Sequence, residues 1–337
     1  MFWRLWARTK GLFARMFRRE ARPGRFESGS ASSWHGLVGT APTVWPSRNY
    51  LVYIPSGHSL WSRAPLLVLC HGCRQSPEEI AQGTRIVEFA DRTGCVVLLP
   101  RQKDTANPWR CWNWFERRTM RGLGESAIVA AQIRHVRRRY RLDHKRVLVA
   151  GMSAGGALAA NIGVRFPQLV GAVVVHSGLA CGAASSALTA ITVMQRGPDQ
   201  DVEGIAAAAR VTSGNASLRI PLLALHGDAD NVVAPRNAIA LVRQYLRLND
   251  HPALVSTGDP SALPAADTEQ RTMLPGGRAQ TVREWRRDGR LIARHVAITG
   301  LGHAWSGGDA TLPYNEAAPP DATALVGDFF ADAFATK

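Results

Sequence analysis

Arg146-Val147-Leu148-Val149-Ala150-Gly151-Met152-Ser153-Ala154-Gly155-Gly156 is the stretch on which the reading of this chain turns. A short apolar, β-branched run enters G-x-S-x-G without interruption, and a helical pattern over Ala154–Arg165 starts at once. A strand that passes through such a motif into a helix makes a sharp turn, and the flanking glycines admit it. The serine hydroxyl is lifted above the sheet to a helix N-terminus, where developing negative charge is favoured. Ser153 is therefore the candidate nucleophile.

Outward from this point the chain alternates strand-like and helix-like runs. Strands are expected over Tyr50–Ile54, Leu66–Cys70, Cys95–Leu99, Val147–Ala150, Val170–Val175, Leu222–His226 and Arg294–Ile298. Helices are expected near Pro77–Arg92, Glu125–Tyr140, Ala154–Arg165, Pro235–Leu248 and Asp321–Ala335. The alternation predicts an α/β chain with a doubly wound, mostly parallel sheet, and the serine turn makes it the α/β-hydrolase fold. Two stretches break the rhythm, Gly178 to Ile220 and His251 to about Arg290. Both are longer than ordinary connections and are expected to be lid-like insertions that wall the substrate site.

A serine hydroxyl needs a base within reach, itself oriented by an acid. In this fold the chain order is Ser, then Asp or Glu, then His. After Ser153 the histidines are His226, His251, His295 and His303. His226 precedes every acid loop, His295 sits inside a strand pattern, and no strand leads into His251. His303 stands in Gly300-Leu301-Gly302-His303-Ala304-Trp305, straight after the last strand, and is the candidate base. Two carboxylates, Asp228 and Asp230, follow the Leu222–His226 strand. Asp230, before an apolar pair and a proline-started helix, is expected to orient His303; Asp228 is expected to brace the turn. The oxyanion of acyl transfer needs preorganised donors. The Ala154 N–H is one, and the Cys73 N–H in His71-Gly72-Cys73-Arg74-Gln75-Ser76 is expected to be the second, with His71 structural.

With 46% hydrophobic and 20% charged residues over 337 positions, the chain has a globular composition. The net charge of +15 raises nucleic-acid binding, but nearly half of the excess is terminal: residues 1–25 carry eight basic side chains against Glu20 alone. Arg134, Arg137, Arg138, Arg139 and Arg141 read as a solvated helix face, so no nucleic-acid partner is expected. Residues 1–20 lack the apolar run of a secretory signal. Phe2, Leu5, Trp6, Leu12, Phe13, Met16 and Phe17 recur at helical spacing among arginines, which predicts a basic amphipathic helix. Residues 21–48 are expected to be a linker and 49–337 the catalytic domain. Five scattered cysteines allow one bridge at most, and Cys70, at the end of an apolar run, should point into the core.

Several separated segments resemble one family. They are His71 to Ser76, Cys111-Trp112-Asn113-Trp114-Phe115, Arg121-Gly122-Leu123-Gly124-Glu125, Gly151 to Gly156, His176-Ser177-Gly178 and Gly300 to Gly308. Together they are similar to the polyhydroxybutyrate depolymerase family of esterases, related to feruloyl and acetylxylan esterases. The resemblance implies Ser153, Asp230 and His303 as nucleophile, acid and base, a Cys73–Cys111 disulfide, and no metal or organic cofactor. It implies short 3-hydroxyalkanoate oligomers or polymer as substrate, with a feruloyl, acetylxylan or general short-chain esterase as the alternative. A non-catalytic surface-binding adaptor is the reading from another class. Trp305, on the loop that delivers His303, and Trp112 are expected to line the substrate pocket. The expected location is cytoplasmic, with residues 1–20 attaching the protein to a membrane or polymer granule; the alternative is extracellular, as in secreted members of the family.

Overall fold

The computed structural model describes residues 23–33, 46–212, 219–255 and 259–335. The amphipathic segment expected over residues 1–20 lies outside them. The elements run β1 (Arg25–Ser32), β2 (Ser47–Ile54), β3 (Leu66–Cys70), α1 (Pro77–Gly83), α2 (Ile86–Thr93), β4 (Val96–Pro100), α3 (Arg117–Met120), α4 (Gly124–Arg139), β5 (Val147–Met152), α5 (Ala154–Arg165) and β6 (Ala172–His176). They continue with α6 (Ala187–Arg196), α7 (Val202–Thr212), β7 (Leu222–Gly227), α8 (Arg236–Leu248), β8 (Thr268–Met273), β9 (Ala279–Arg287), β10 (Arg290–Ile298), β11 (Trp305–Ser306), β12 (Asn315–Glu316) and α9 (Ala322–Ala333).

Ten strands form one sheet in the order β1-β2-β4-β3-β5-β6-β7-β10-β9-β8. The inner six, β4 to β10, run parallel, and antiparallel strands close both edges. Their near-continuous apolar sequences follow from burial on both faces. Leu66, Val68 and Cys70 of β3 pack on one side with Val129, Ile133 and Leu158 from α4 and α5. Leu67 and Leu69 pack on the other with Ile80, Phe89 and Phe329 from α1, α2 and α9. Each of the six inner strands thus feeds both cores, and the sheet becomes a rigid floor whose loops carry the candidate site.

Three expectations change. Within the expected linker, residues 25–32 form an edge strand paired in register from Arg25↔Ile54 to Ser32↔Ser47. Its polar, alternating sequence masked a half-exposed strand: Tyr140 donates to Glu27 (2.7 Å) and Phe26 packs against Tyr53 (ring centroids 5.0 Å). The helix expected near Pro77–Arg92 is two helices, because Arg85 adopts a left-handed conformation (φ 54°) between them. None of the described residues from His251 to Arg290 lines the cavity beside Ser153; β8 and β9, within that excursion, extend the sheet instead. The Gly178 to Ile220 excursion carries α6 and α7. Val202 at the start of α7 is tied to α8, its carbonyl accepting from Gln244 Nε2 at 2.7 Å.

Candidate active site

Ser153 sits between β5 and α5 with φ 56° and ψ −122°, a strained left-handed-side conformation of the kind found where a nucleophile is thrust out of a strand-to-helix turn. Its N–H donates to the His176 carbonyl at the end of β6 (2.9 Å). The turn closes only because its glycines lack side chains. A Cβ on Gly151 would lie 2.2 Å from the Gly155 carbonyl oxygen, and one on Gly155 2.2 Å from that of Cys70.

Asp230 and His303, 73 residues apart, meet because their loops are stitched together. Ala229 N–H donates to Leu301 O (3.2 Å), Gly300 N–H donates to the Asp228 carboxylate (2.6 Å), and a Cβ on Gly227 would strike Leu301 O at 2.0 Å. Asp228 therefore braces the pair of loops, and Asp230 is the carboxylate that reaches the histidine. Asp230 Oδ2 accepts from His303 Nδ1 at 2.8 Å, while Oδ1 accepts from the N–H groups of Val232 (3.0 Å) and Val233 (2.9 Å). Burial alone would raise this carboxyl, but the hydrogen bond and charge of His303, with the Val233 N–H, hold it down at about 2. A carboxylate at Oδ2 keeps the imidazole proton on Nδ1, which leaves Nε2 free to accept one.

A second imidazole approaches the same carboxylate. His226 Nε2–H donates to Val233 O (2.8 Å) and lies 3.5 Å from Asp230 Oδ2. Burial lowers its pKa, so it is a neutral support for the acid loop. Nothing in the sequence signalled this role, since His226 looks like the last residue of a strand.

The Cys73 loop faces Ser153 across a cavity of about 320 Å³ lined by both and by His303. The N–H groups on either side of Cys73 are engaged: Gly72 to Gln75 Oε1 (2.8 Å), Arg74 to Trp109 O (2.7 Å) and Gln75 to Gly72 O (3.4 Å). The Cys73 N–H has no acceptor among the described residues, and Ala154, first residue of α5, leads with its N–H exposed from the helical ladder. These are the two donors an oxyanion would need.

Beneath this loop the resembling segments converge. His71 donates from Nδ1 to Gly72 O (2.7 Å) and accepts from Gln102 N–H at Nε2 (3.2 Å); burial holds it neutral by bringing its pKa down to about 4. Gln102 donates to buried Glu125 (2.5 Å) and to Cys111 O (2.9 Å), and Glu125 also accepts from the Asn113 N–H (2.7 Å). Burial raises the Glu125 pKa. A disulfide joins Cys73 to Cys111, closing the arch. His71 is thus structural, and Cys70 is buried in the core, as expected.

Both tryptophans expected to touch substrate lie elsewhere. Trp112 is fully buried, donates to His71 O (3.0 Å) and packs on the His71 ring. Trp305 is 1% exposed, stacks on His176 (5.0 Å, 25°) and donates to Thr323 (3.1 Å). Each indole N–H needs a buried acceptor, and each finds it beneath the site. The cavity is walled instead by Trp109, Met194 of α6, Val232 and Tyr314. Tyr314 stands edge-on to His303 (6.4 Å), brought there by the β11–β12 pairing, a long-range placement without a local sequence signal. Among the described residues, no group of three or more His, Cys, Asp or Glu side chains could hold a metal ion, and no helix is long and apolar enough to cross a membrane.

Comparison with known proteins gives a family match, described as esterase PHB depolymerase, over residues 48–267. Poly(3-hydroxyalkanoate) depolymerase C of Paucimonas lemoignei is 27% identical over 195 residues, covering 57% of this chain and 46% of that protein. The chain therefore spans about half the length of that relative. Feruloyl esterase B of Neurospora crassa is 27% identical over 213 residues, covering 60% of this chain and 72% of that one. In structure, an acetyl xylan esterase from Aspergillus awamori superposes with a TM-score of 0.62 at 18% identity, over 82% of this chain and 94% of its own. That likeness is one of fold.

Proposed function

Since the chain belongs to the esterase PHB depolymerase family, we propose that it is a serine esterase whose nucleophile, base and acid are Ser153, His303 and Asp230. The observation that carries the reading is the 2.8 Å hydrogen bond from His303 Nδ1 to Asp230, on a cavity that His303 shares with Ser153. Ser153 Oγ attacks the ester carbonyl as its proton passes to His303 Nε2. The tetrahedral oxyanion is held by the N–H groups of Cys73 and Ala154, and collapse expels the alcohol with the proton returned by His303. Water then cleaves the acyl-enzyme through the same base and restores Ser153.

The substrates we propose are short 3-hydroxyalkanoate oligomers, for which the mostly apolar wall of Met152, Met194 and Val232 offers contact to small aliphatic acyl groups. A feruloyl or acetylxylan esterase is the second reading, favoured by the Neurospora crassa relative and by Trp109, 54% exposed at the cavity and available to stack on an aromatic or sugar ring. Fluorophosphonate labelling of wild type but not of Ser153→Ala tests the chemistry. Rates on hydroxybutyrate oligomers, methyl ferulate and acetylated xylan then rank the substrates. A protein that neither takes the label nor cleaves any of these esters would be an adaptor, and the esterase reading would fall. We also propose that residues 1–20 attach the protein to an anionic membrane or a polymer granule through apolar burial and charge together. Equal co-sedimentation of the full chain and a form starting at Ser33 would refute that.

A further inference from the structure

The cavity beside Ser153 is apolar along most of its wall, but one lining residue carries a permanent charge. That residue is Arg74. It follows Cys73 directly, and its backbone is fixed from both sides: its N–H donates to Trp109 O (2.7 Å) and its carbonyl accepts from Arg110 Nη2 (3.3 Å). Its φ of 62° lies in the left-handed region, which most side chains avoid. The chain thus holds an arginine at a position better suited to glycine, beside the residue whose N–H is proposed to stabilise the oxyanion.

Nearby acids are spoken for. Glu78 pairs with Arg101, Glu79 caps the Ser76 N–H (2.6 Å), and Asp104 lies 3.8 Å from Arg110. The Arg74 guanidinium has no carboxylate partner among the described residues. Arg74 is itself exposed, so its unpaired guanidinium attracts an anion at the mouth of this largely apolar cavity with a strength that solvent and salt reduce.

We infer that the substrate carries a carboxylate, and that Arg74 selects it. The class is a small ester with a free acid group, of which an oligomer of a hydroxy acid with its acid end exposed is the simplest case. The inference rests on the esterase reading above, and it prefers short free-acid oligomers over interior bonds of a long polymer, where no carboxylate lies within reach.

The test compares the linear dimer of 3-hydroxybutyrate as its free acid with the same dimer as its terminal carboxamide, which is similar in shape but neutral. For wild type, kcat/KM for the acid should exceed that for the amide about fivefold, as suits a partly exposed pair, and the difference should lie in KM. The acid-to-amide ratio should shrink as salt rises from about 0.01 M to about 1 M. It should fall to near one in Arg74→Gln and return in part in Arg74→Lys. A wild-type ratio of one, or a ratio that survives in Arg74→Gln, would overturn the inference. p-Nitrophenyl butyrate separates the two failures: if it is cleaved while the acid dimer is not preferred, only the inference falls. If no ester is cleaved, the esterase reading falls as well.

Discussion

Asp230→Asn tests the arrangement at its most exposed joint. Asp230 Oδ1 accepts two backbone N–H groups, from Val232 and Val233, and Oδ2 accepts the His303 Nδ1–H. An asparagine keeps one acceptor oxygen. Two N–H donors on one side outweigh one on the other, so the amide oxygen stays with Val232 and Val233 and the NH₂ turns toward His303 Nδ1. That imidazole must then accept at Nδ1 and carry its proton on Nε2, the atom that has to take the serine proton. In the Ser-His-Asp proteases the same exchange lowers kcat by about 10⁴ through this wrong tautomer, and a loss of about 10³ to 10⁴ in kcat on p-nitrophenyl butyrate at pH 7 is expected here.

Stability carries a second signature. The Asp230 carboxyl is held at about 2 against an ordinary 3.8, which at about 1.4 kcal/mol per pH unit sets an upper bound of about 2 kcal/mol that solvent screening reduces. Because the folded pKa is depressed, this stabilisation is present in full above about pH 4 and is lost as pH falls toward 2. Urea unfolding should thus find Asp230→Asn less stable than wild type by up to about 2 kcal/mol at pH 7, with the gap closing below pH 3. A kcat within tenfold of wild type would refute the tautomer argument, and a larger loss in Asp228→Asn would show that the wrong carboxylate has been chosen.

Trp305→Ala should cost about 3–5 kcal/mol of stability, the range for emptying a buried aromatic site, with KM on p-nitrophenyl butyrate within about twofold; a tenfold rise in KM at unchanged stability would return Trp305 to the substrate wall. Replacing both Cys73 and Cys111 by serine opens a loop of 38 residues, worth up to about 4 kcal/mol by chain entropy, and should also lower kcat as the Cys73 N–H loses its anchor. Identical urea midpoints for wild type and the double variant would show that the bridge contributes nothing. Gly155→Ala places a Cβ 2.2 Å from Cys70 O and 2.4 Å from His71 O, both backbone atoms, so folded soluble protein should be largely lost; a well-folded variant by circular dichroism would mean that the turn can open.

The sequence alone determined what is local or ordered along the chain. β3 and α5 fall at the residues that apolar runs and the glycine-flanked serine indicated, and the order Ser, Asp, His singled out His303 among four histidines as the candidate base, because each one's neighbours in sequence reveal its strand or loop. Periodicity reports burial on one element at a time, and that suffices for a sheet buried on both faces. It failed where a residue's role depends on what packs beneath it. Trp305 lies two residues after the candidate base and Trp112 next to the half-cystine Cys111, yet a loop has two sides, and only the packing against His71, His176 and Thr323 decides which one an indole takes. β1 escaped notice because an edge strand is half solvated and its sequence is polar. His226, Met194 and Tyr314 reach the site from β7, α6 and the approach to β12, and no local pattern records that convergence. Proximity across 73 residues, as between Asp230 and His303, comes from the parallel pairing of β7 with β10, which exists only once the sheet has formed.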